Sequence, residues 1–384
     1  MGKLIRHALA DRYAREEQRN GYKPLKPLNV GIIGGGLNSA VGAAHFSALG
    51  IDGLYRIAAG CFSRNNEINY ATAARCGLPQ SAVYISGGDL LKNAKELDAV
   101  ILLLPIPLHY ETLLCTINCN TRIICEKLLV LNLQEALNIR RALTDINRLT
   151  ITYNYLGYPM IRELKELITS GRLGAIKHFE AKMPQESYIL TRSTPQFWRL
   201  NEKDPPLIAL DLLTHLHRII EYLLEIKANE LFCVQNSYGR FDSVIDDMRL
   251  LAHYDQNIGG SFWVSKSALG FRNGMEIAVY GGEASAIWRQ ENAEEIKIAY
   301  ADGRRETIDR GSPLKIANAQ RFSRFKAGHP SGYIEAFANL YGDIAKMIAG
   351  EKGAEITAID SEVERMRFIE TAALSAKSGK WEKI

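Results

Sequence analysis

The run Asn29–His45, NVGIIGGGLNSAVGAAH, constrains this 384-residue chain more than any other stretch. An apolar strand passes directly into three consecutive glycines and then into a segment of helical spacing. Gly34 and Gly36 hold the first two positions of a G-x-G-x-x-G turn. The first permits the tight turn, and the second lets the backbone approach a pyrophosphate at a helix N-terminus. Leu37 and Asn38 complete the candidate cradle. Ser39 stands where the third glycine is usual and is small enough to replace it. Gly42, one turn on, is placed to share the close helix-to-strand packing. Taken alone the turn is a weak signal, because glycine-rich strand–helix turns are common.

The segments beyond the turn strengthen that signal. From Asn29 to about Thr150, apolar strands (YRIAAGCF, LDAVILLLP, TRIICEK) alternate with helical patterns (NNEINYATAARCG, HYETLLCTIN, NLQEALNIRRALTDIN). LDAVILLLP is apolar throughout, as expected of a strand buried on both faces. Strand–helix alternation over this length predicts an α/β domain with a doubly wound parallel sheet, a Rossmann-type fold. After the helical IRELKELITSGRLG the pattern changes to alternating strands: KHFEAKM, NELFCVQNSYGRF, MRLLAHYDQNIGGSFWVSKSAL, MEIAVYGGEASAIWRQ and EIKIAYADGRRETI. Asn257 to Gly260 and Asp302-Gly303 supply turn chemistry between them. This predicts a second α/β domain with an open, mainly antiparallel sheet, closed by two helical segments at the C-terminus. The expected division is a basic extension over 1–28, a dinucleotide-binding domain over 29–150 and a second domain over 151–384.

Composition narrows the function classes. The formal net charge is +4. Residues 1–28 hold seven Lys/Arg against three acids, 7 − 3 = +4, so the whole excess sits there. That argues against a nucleic-acid partner and for a solvated helical extension, packed on a sister subunit or touching phosphates. No apolar run has the length of a membrane helix and no secretory leader is apparent, so a cytoplasmic protein with no membrane partner is expected. The six cysteines show no CxxC pair and read as structural thiols.

Cofactor choice should be set after the second strand. An acid there accepts from the ribose hydroxyls of NAD, whereas a 2′-phosphate favours Arg with small polar neighbours. The chain reads Cys61-Phe62-Ser63-Arg64, with no acid before Glu67. Ser63 and Arg64 therefore point to NAD(P) with NADP slightly favoured, the alternative being that Arg64 is a solvated helix-start residue.

Three further stretches act together: LLLPIPLHY (102–110), CEKLL (125–129) and LDLLTHLHRIIEYL (210–223). In this order, behind a glycine turn, they resemble the Gfo/Idh/MocA oxidoreductases, the glucose–fructose oxidoreductase and inositol dehydrogenase superfamily. The fragments GGGxxSxxGxxH, YNYxGYPM and AGHPxGYxEAFAN are similar to a branch of sugar or cyclitol dehydrogenases within it. The resemblance implies NAD(P)-linked oxidation or reduction of a secondary alcohol on a sugar, sugar derivative or cyclitol. It also implies a homo-oligomer, dimer or tetramer, formed through the open sheet. Pro105 and His109 match the family's loop beside the cofactor. Glu126 and Lys127 match its Glu-Lys-Pro motif, with the lysine near the nicotinamide and the substrate oxygen. Asn154 and Tyr155 match the segment entering the second domain, and Asp211 and His215 match Asp-x-Gly-x-His. Leu128 replaces the motif proline and Leu213 the motif glycine, and Pro205-Pro206 stand where glycines usually precede that motif.

The chemistry is consistent with these matches. Asp211 and His215, spaced i, i+4, share one helix face. Oxidation of a carbinol carbon requires loss of the hydroxyl proton, which an imidazole accepts near neutral pH. Lys127, at the carboxyl end of a parallel strand, is placed to polarise the same oxygen and to stabilise a developing alkoxide. Asp211 would orient His215 or bind a neighbouring hydroxyl. No third residue with suitable spacing makes a metal site of this stretch. Tyr158, Gln185, Trp198, Arg199 and His329 lie in loops or at element ends and are further candidates for substrate binding. Two other readings stay open: a glycosidase that cleaves by transient oxidation on bound NAD, and a non-catalytic nucleotide-binding protein.

Overall fold

The computed structural model describes residues 26–119, 121–190, 195, 197–201 and 203–384, so nearly all of the expected basic extension lies outside the described residues. The chain forms two compact units. One comprises the described part of Met1–Lys127 with Ala142–Thr152 and Phe337–Ile356; the other comprises Leu128–Arg141, Tyr153–Ala336 and Thr357–Ile384. The chain thus crosses between the units several times. Side-chain bonds explain two of the exchanges. Tyr55 donates to the Tyr341 carbonyl at 2.7 Å, and Glu370 accepts from the Leu133 amide at 2.6 Å.

In the first unit, β1 (Leu28–Gly34), α1 (Ala40–Ile51), β2 (Tyr55–Cys61), α2 (Asn66–Arg75), α3 (Gly87–Asn93), β3 (Ala99–Leu103), α4 (His109–Ile117) and β4 (Arg122–Glu126) follow in order. After α5 (Leu133–Ala142), β5 (Leu149–Thr152) completes a five-stranded parallel sheet of order β2-β1-β3-β4-β5. Val30, Ile32, Ile101, Leu102, Ile123 and Ile124 are all buried, as the continuous apolar runs predicted. The order reverses between β1 and β3, and such a switch point leaves a crevice at the carboxyl ends of the strands. The glycine turn begins there, with Gly34 paired to Leu103.

The second unit begins with α6 (Pro159–Thr169) and β6 (Ile176–Pro184), passes a π-helical turn at Ala209–Leu213, and continues into α7 (Thr214–Leu224). β7 (Ala228–Asn236), β8 (Asp247–Tyr254), β9 (Ile258–Ser265), β10 (Glu276–Gly281), β11 (Ala284–Arg289), β12 (Glu295–Tyr300) and β13 (Arg305–Asp309) follow, then α8 (Tyr333–Ile348), α9 (Ile359–Ser378) and β14 (Glu382–Lys383). The nine strands run β13-β12-β11-β10-β6-β9-β8-β7-β14, antiparallel except for the parallel pair β6–β9. In β8 buried Met248, Leu250, Ala252 and Tyr254 alternate with exposed Arg249, Leu251 and His253, which leaves one face open.

One turn lies earlier than expected. The chain reverses at Asp255–Asn257, where Gln256 and Asn257 take positive φ, while Gly259 and Gly260 belong to β9. Gly260 is there for space: a Cβ on it would lie 2.3 Å from the Phe179 ring of β6. Among the described residues no helix is long and apolar enough to cross a membrane, and all six cysteines are free thiols.

Candidate active site

The glycine turn of the first unit is built as its residues demand. Gly34 has φ +90°, and a Cβ there would meet the Leu103 carbonyl at 2.4 Å. Ser39 does not merely replace a glycine; its hydroxyl caps α1 by accepting from the Gly42 amide at 3.0 Å. Gly42 supplies the close approach, since a Cβ on it would stand 2.4 Å from the Gly35 carbonyl. Leu37, Asn38, Ala40 and Val41 are exposed around this first turn, so the positive end of α1 is open to an anion. Beyond β2, the Ser63 hydroxyl accepts from the Asn65 amide at 3.1 Å, Asn65 caps α2, and Arg64 is exposed.

At the carboxyl end of β4, Glu126 is buried and Lys127 is half-buried. The Glu126 carboxylate accepts from the Thr152 hydroxyl at 2.6 Å and from the Lys127 amide, and faces His45 Nε2 at 3.9 Å. Burial pushes its pKa up, but His45, Lys127 and Thr152 outweigh that and hold the carboxyl below its usual range. The buried His45 ring is itself fixed by the Tyr341 hydroxyl, 2.6 Å from Nδ1. Glu126 thus serves as an internal anchor for the strand end that carries Lys127.

In the second unit, Asp211 lies in the π-helical turn and His215 in the first turn of α7. A π turn is rare and is found frequently at functional sites. Asp211 Oδ2 accepts from Arg199 Nη1 at 2.5 Å and from Lys266 Nζ at 2.7 Å. His215 is held between aromatic edges, 4.8 Å from Tyr155 at 87° and 5.8 Å from Tyr153 at 83° between centroids. The Tyr155 hydroxyl accepts from Asn273 Nδ2 at 3.2 Å, Asn273 Oδ1 accepts from Gln185 Nε2 at 2.9 Å, and Asn273 Nδ2 also reaches Gln290 Oε1 at 2.7 Å. Burial raises the Tyr155 pKa to about 12, with the Asp211 charge adding to it and the amide of Asn273 opposing, so the phenol stays protonated. Behind Tyr153 lies a buried ionic group, in which Glu362 Oε2 accepts from the Tyr153 hydroxyl at 2.9 Å and pairs with Arg365.

Residues 161–287 match the family model of the GFO/IDH/MocA C-terminal domain. An uncharacterised oxidoreductase of Bacillus subtilis, YfiI, is 25% identical over 378 residues, 92% of this chain and 96% of that protein. A levoglucosan dehydrogenase of Pseudarthrobacter phenanthrenivorans is 24% identical over 72% of this chain and 77% of its own. An inositol dehydrogenase homologue from Azotobacter vinelandii, solved with NAD+, superposes with a TM-score of 0.88 at 25% identity, covering 94% of this chain and 99% of that one. Over residues 161–287, then, the chain is similar to the C-terminal domain of the Gfo/Idh/MocA oxidoreductases.

Of the departures from the family's motifs, Leu128 and Leu213 are both fully buried in the core. His109 is also buried, with Nε2 on the Leu104 carbonyl at 2.8 Å and Nδ1 3.7 Å from Cys125 Sγ, so its ring props the turn that leads to exposed Pro105. Asn154 is 3% exposed, and its Nδ2 has no acceptor among the described residues, leaving a donor to offer. Tyr158 is buried and stacked on Tyr155 at 6.0 Å, and with Gln290 and Tyr333 it lines a cavity of about 450 Å³ in this unit. Gln185 and Arg199 are tied to Asn273 and Asp211. Trp198 stands in the short turn Phe197–Leu200, its side chain outside the described residues. His329 is exposed, its Nδ1 3.1 Å from the Lys326 carbonyl. Sequence reasoning passed over Lys266 and Asn273. Lys266 carried a signal, since it follows an apolar strand just as Lys127 does.

Proposed function

We propose that the chain is an NAD(P)-dependent oxidoreductase acting on a secondary alcohol, or the corresponding ketone, of a sugar, sugar derivative or cyclitol. One observation carries this reading: a single chain combines the open glycine turn at the sheet's switch point with a GFO/IDH/MocA C-terminal domain presenting Asp211 and His215. The residues present fit such a cofactor, because Gly34 makes the tight turn, Gly36 carries no side chain where a pyrophosphate approaches, and the open end of α1 offers its first amides. When bound, the nicotinamide supplies the two-electron exchange.

The chain's own groups supply the rest. Lys127 polarises the reacting oxygen and stabilises its negative charge during oxidation. A ring nitrogen of His215 accepts the hydroxyl proton, and returns it in the reductive direction. Asp211, acceptor-only when ionised, takes hydrogen bonds from ring hydroxyls. The amide of Asn154 and the Arg199 fork add donors for the cofactor or substrate.

The NAD+ held by the Azotobacter homologue favours NAD as the cofactor. The case for NADP rests on Ser63 and Arg64 alone. Exposed Val234 and Leu251 on the open face of the second sheet support assembly into a homo-oligomer. We assign the protein to the cytoplasm. The test titrates purified protein with NAD(H) and NADP(H), then follows nicotinamide absorbance against a panel of polyols that includes inositols and levoglucosan. Cofactor binding with turnover of one polyol class is expected; absence of binding at millimolar cofactor overturns the reading.

A further inference from the structure

Lys266, the residue directly after β9, is 5% exposed, yet its ammonium carries a charge that must be compensated in the interior. Its Nζ lies 2.7 Å from Asp211 Oδ2 and 5.1 Å from the centroid of the Tyr188 ring. The main chain fixes the stem, because the Lys266 amide donates to the Asp246 carbonyl at 2.7 Å and its carbonyl accepts from the Tyr188 amide at 2.8 Å. The same Asp211 oxygen accepts from Arg199 Nη1 at 2.5 Å. One carboxylate oxygen therefore takes two charge-assisted bonds, from a sheet-borne ammonium and a loop-borne guanidinium.

The two cations differ in how firmly they are placed. The Arg199 side chain is 31% exposed and comes from the short turn Phe197–Leu200, whereas Lys266 is locked at a strand end. Among the described residues, the other ionisable groups facing this place are Tyr155, His215, Tyr188 and Asp246. Tyr155 and Tyr188 are neutral phenols at ordinary pH. The Asp246 carboxylate is committed to the Tyr238 and Gly239 amides and to the Ser267 hydroxyl.

We propose that Lys266 is a positioning residue for the reaction: it pins Asp211 as a permanently ionised hydrogen-bond acceptor one turn before His215. This rests on the oxidoreductase reading given above. In consequence Asp211 does not exchange protons during turnover. His215 is then the group whose protonation governs the rate, and the carboxylate serves to hold substrate hydroxyls.

The experiment labels the aspartate carboxyl carbons with ¹³C and follows their NMR titration, with Asp211 assigned by its loss in Asp211→Asn. In the unaltered protein Asp211 is expected to titrate below the ordinary aspartate range. In Lys266→Met its midpoint should rise by about one pH unit or more, the usual effect of an opposite charge at this range. Lys266→Arg should restore it, and Lys266→Gln, which keeps a donor without the charge, should not. A second break in kcat/KM for the polyol oxidised, below the one that His215 sets, should move upward in parallel with the Asp211 midpoint, with KM rising more than kcat falls.

An ordinary Asp211 midpoint in the unaltered protein overturns the proposal without reference to any variant. An unmoved midpoint in Lys266→Met or Lys266→Gln overturns it as well, and so does a moved midpoint with an unchanged pH–rate profile. If the midpoints behave as expected but no polyol is oxidised, the hold on Asp211 stands and the functional reading is what fails.

Discussion

The Tyr155 ring meets the His215 imidazole edge-on, with centroids 4.8 Å apart and planes at 87°. That contact fixes the ring plane of the proposed base, while the Tyr155 hydroxyl is spent on Asn273. Orientation is worth a great deal in a proton transfer, where misplacement by about 1 Å can cost roughly 100-fold. Tyr155→Phe keeps the ring and should lower kcat by no more than about fivefold, since one neutral hydrogen bond contributes about 1 kcal/mol. Tyr155→Ala should lower kcat by about tenfold or more while leaving cofactor affinity in place. Steady-state kinetics with fluorescence titration of reduced cofactor separates the two effects, and equal losses in both variants would refute the packing role.

Lys127 and His215 are assigned different parts of one step, so their variants should fail differently. His215→Gln removes the proton acceptor and should lower kcat by about 10² to 10⁴, the usual worth of general base catalysis. Its activity should lose the pH dependence that an imidazole confers. Lys127→Met removes the charge beside the reacting oxygen and should cost about 10² to 10³ in kcat. Neither variant should change the affinity for oxidised cofactor by more than a few-fold. Full turnover in either one rules out the assigned role.

Two glycines of α1 give opposite expectations. Gly42 has no room for a methyl group, because its Cβ would stand 2.4 Å from the Gly35 carbonyl. Gly50 has nothing within 4 Å of the same position. Gly42→Ala should therefore destabilise the protein by about 1–3 kcal/mol, as overpacking does, and weaken cofactor binding by displacing the turn. Gly50→Ala should stabilise by roughly 0.5–1 kcal/mol, because alanine gives up less backbone entropy in a helix. Thermal unfolding of the two variants checks the pair, and the same sign for both would contradict the geometry.

The strands and most helices were legible because burial imposes periodicity. β3 reads as a continuous apolar run since both its faces are covered, and β8 alternates since one face is open. The glycine turn was legible because positive φ at Gly34 and close approach at Gly42 leave few other residues possible. Long-range pairing was not. Nothing local marks Lys266 or Asn273 as partners of Asp211 and Tyr155, 55 and 118 residues away in sequence. The π-helical turn at Asp211 is likewise announced by no residue pattern. Nor does the sequence show that His109, expected in the loop beside the cofactor, has its ring buried with Nε2 on the Leu104 carbonyl.

Arg64 tests the choice of cofactor. Its exposed guanidinium follows β2 without an acid before Glu67, an arrangement that tolerates a 2′-phosphate. If it binds that phosphate, Arg64→Ala should raise the Kd for NADP by about tenfold, consistent with a charge-assisted bond of about 1.5–3 kcal/mol. The Kd for NAD should stay within about twofold. Equal changes for the two cofactors, read by fluorescence titration of their reduced forms, would make Arg64 a solvated helix-start residue.

His217, two residues beyond His215, predicts how stability depends on pH. Its ring lies 4.1 Å from Phe368, and Nδ1 has no partner among the described residues. Burial lowers its pKa to about 3, with Arg365 and Arg218 adding to the effect and Glu221 opposing it. The folded protein therefore keeps His217 neutral where the unfolded chain, titrating near 6.5, already binds a proton. Stability from this residue is fully present above pH 6.5 and is lost as pH falls toward 3, by about 1.4 kcal/mol per unit at most. Glu221, whose carboxyl is lowered by Arg365 and Arg218 against its own burial, adds to the loss only below its unfolded value of 4.5. His217→Leu removes the first contribution and not the second. Urea unfolding between pH 7 and 5 should then be nearly flat for the variant and decline for the unaltered protein, and parallel curves would show that His217 is charged in the fold.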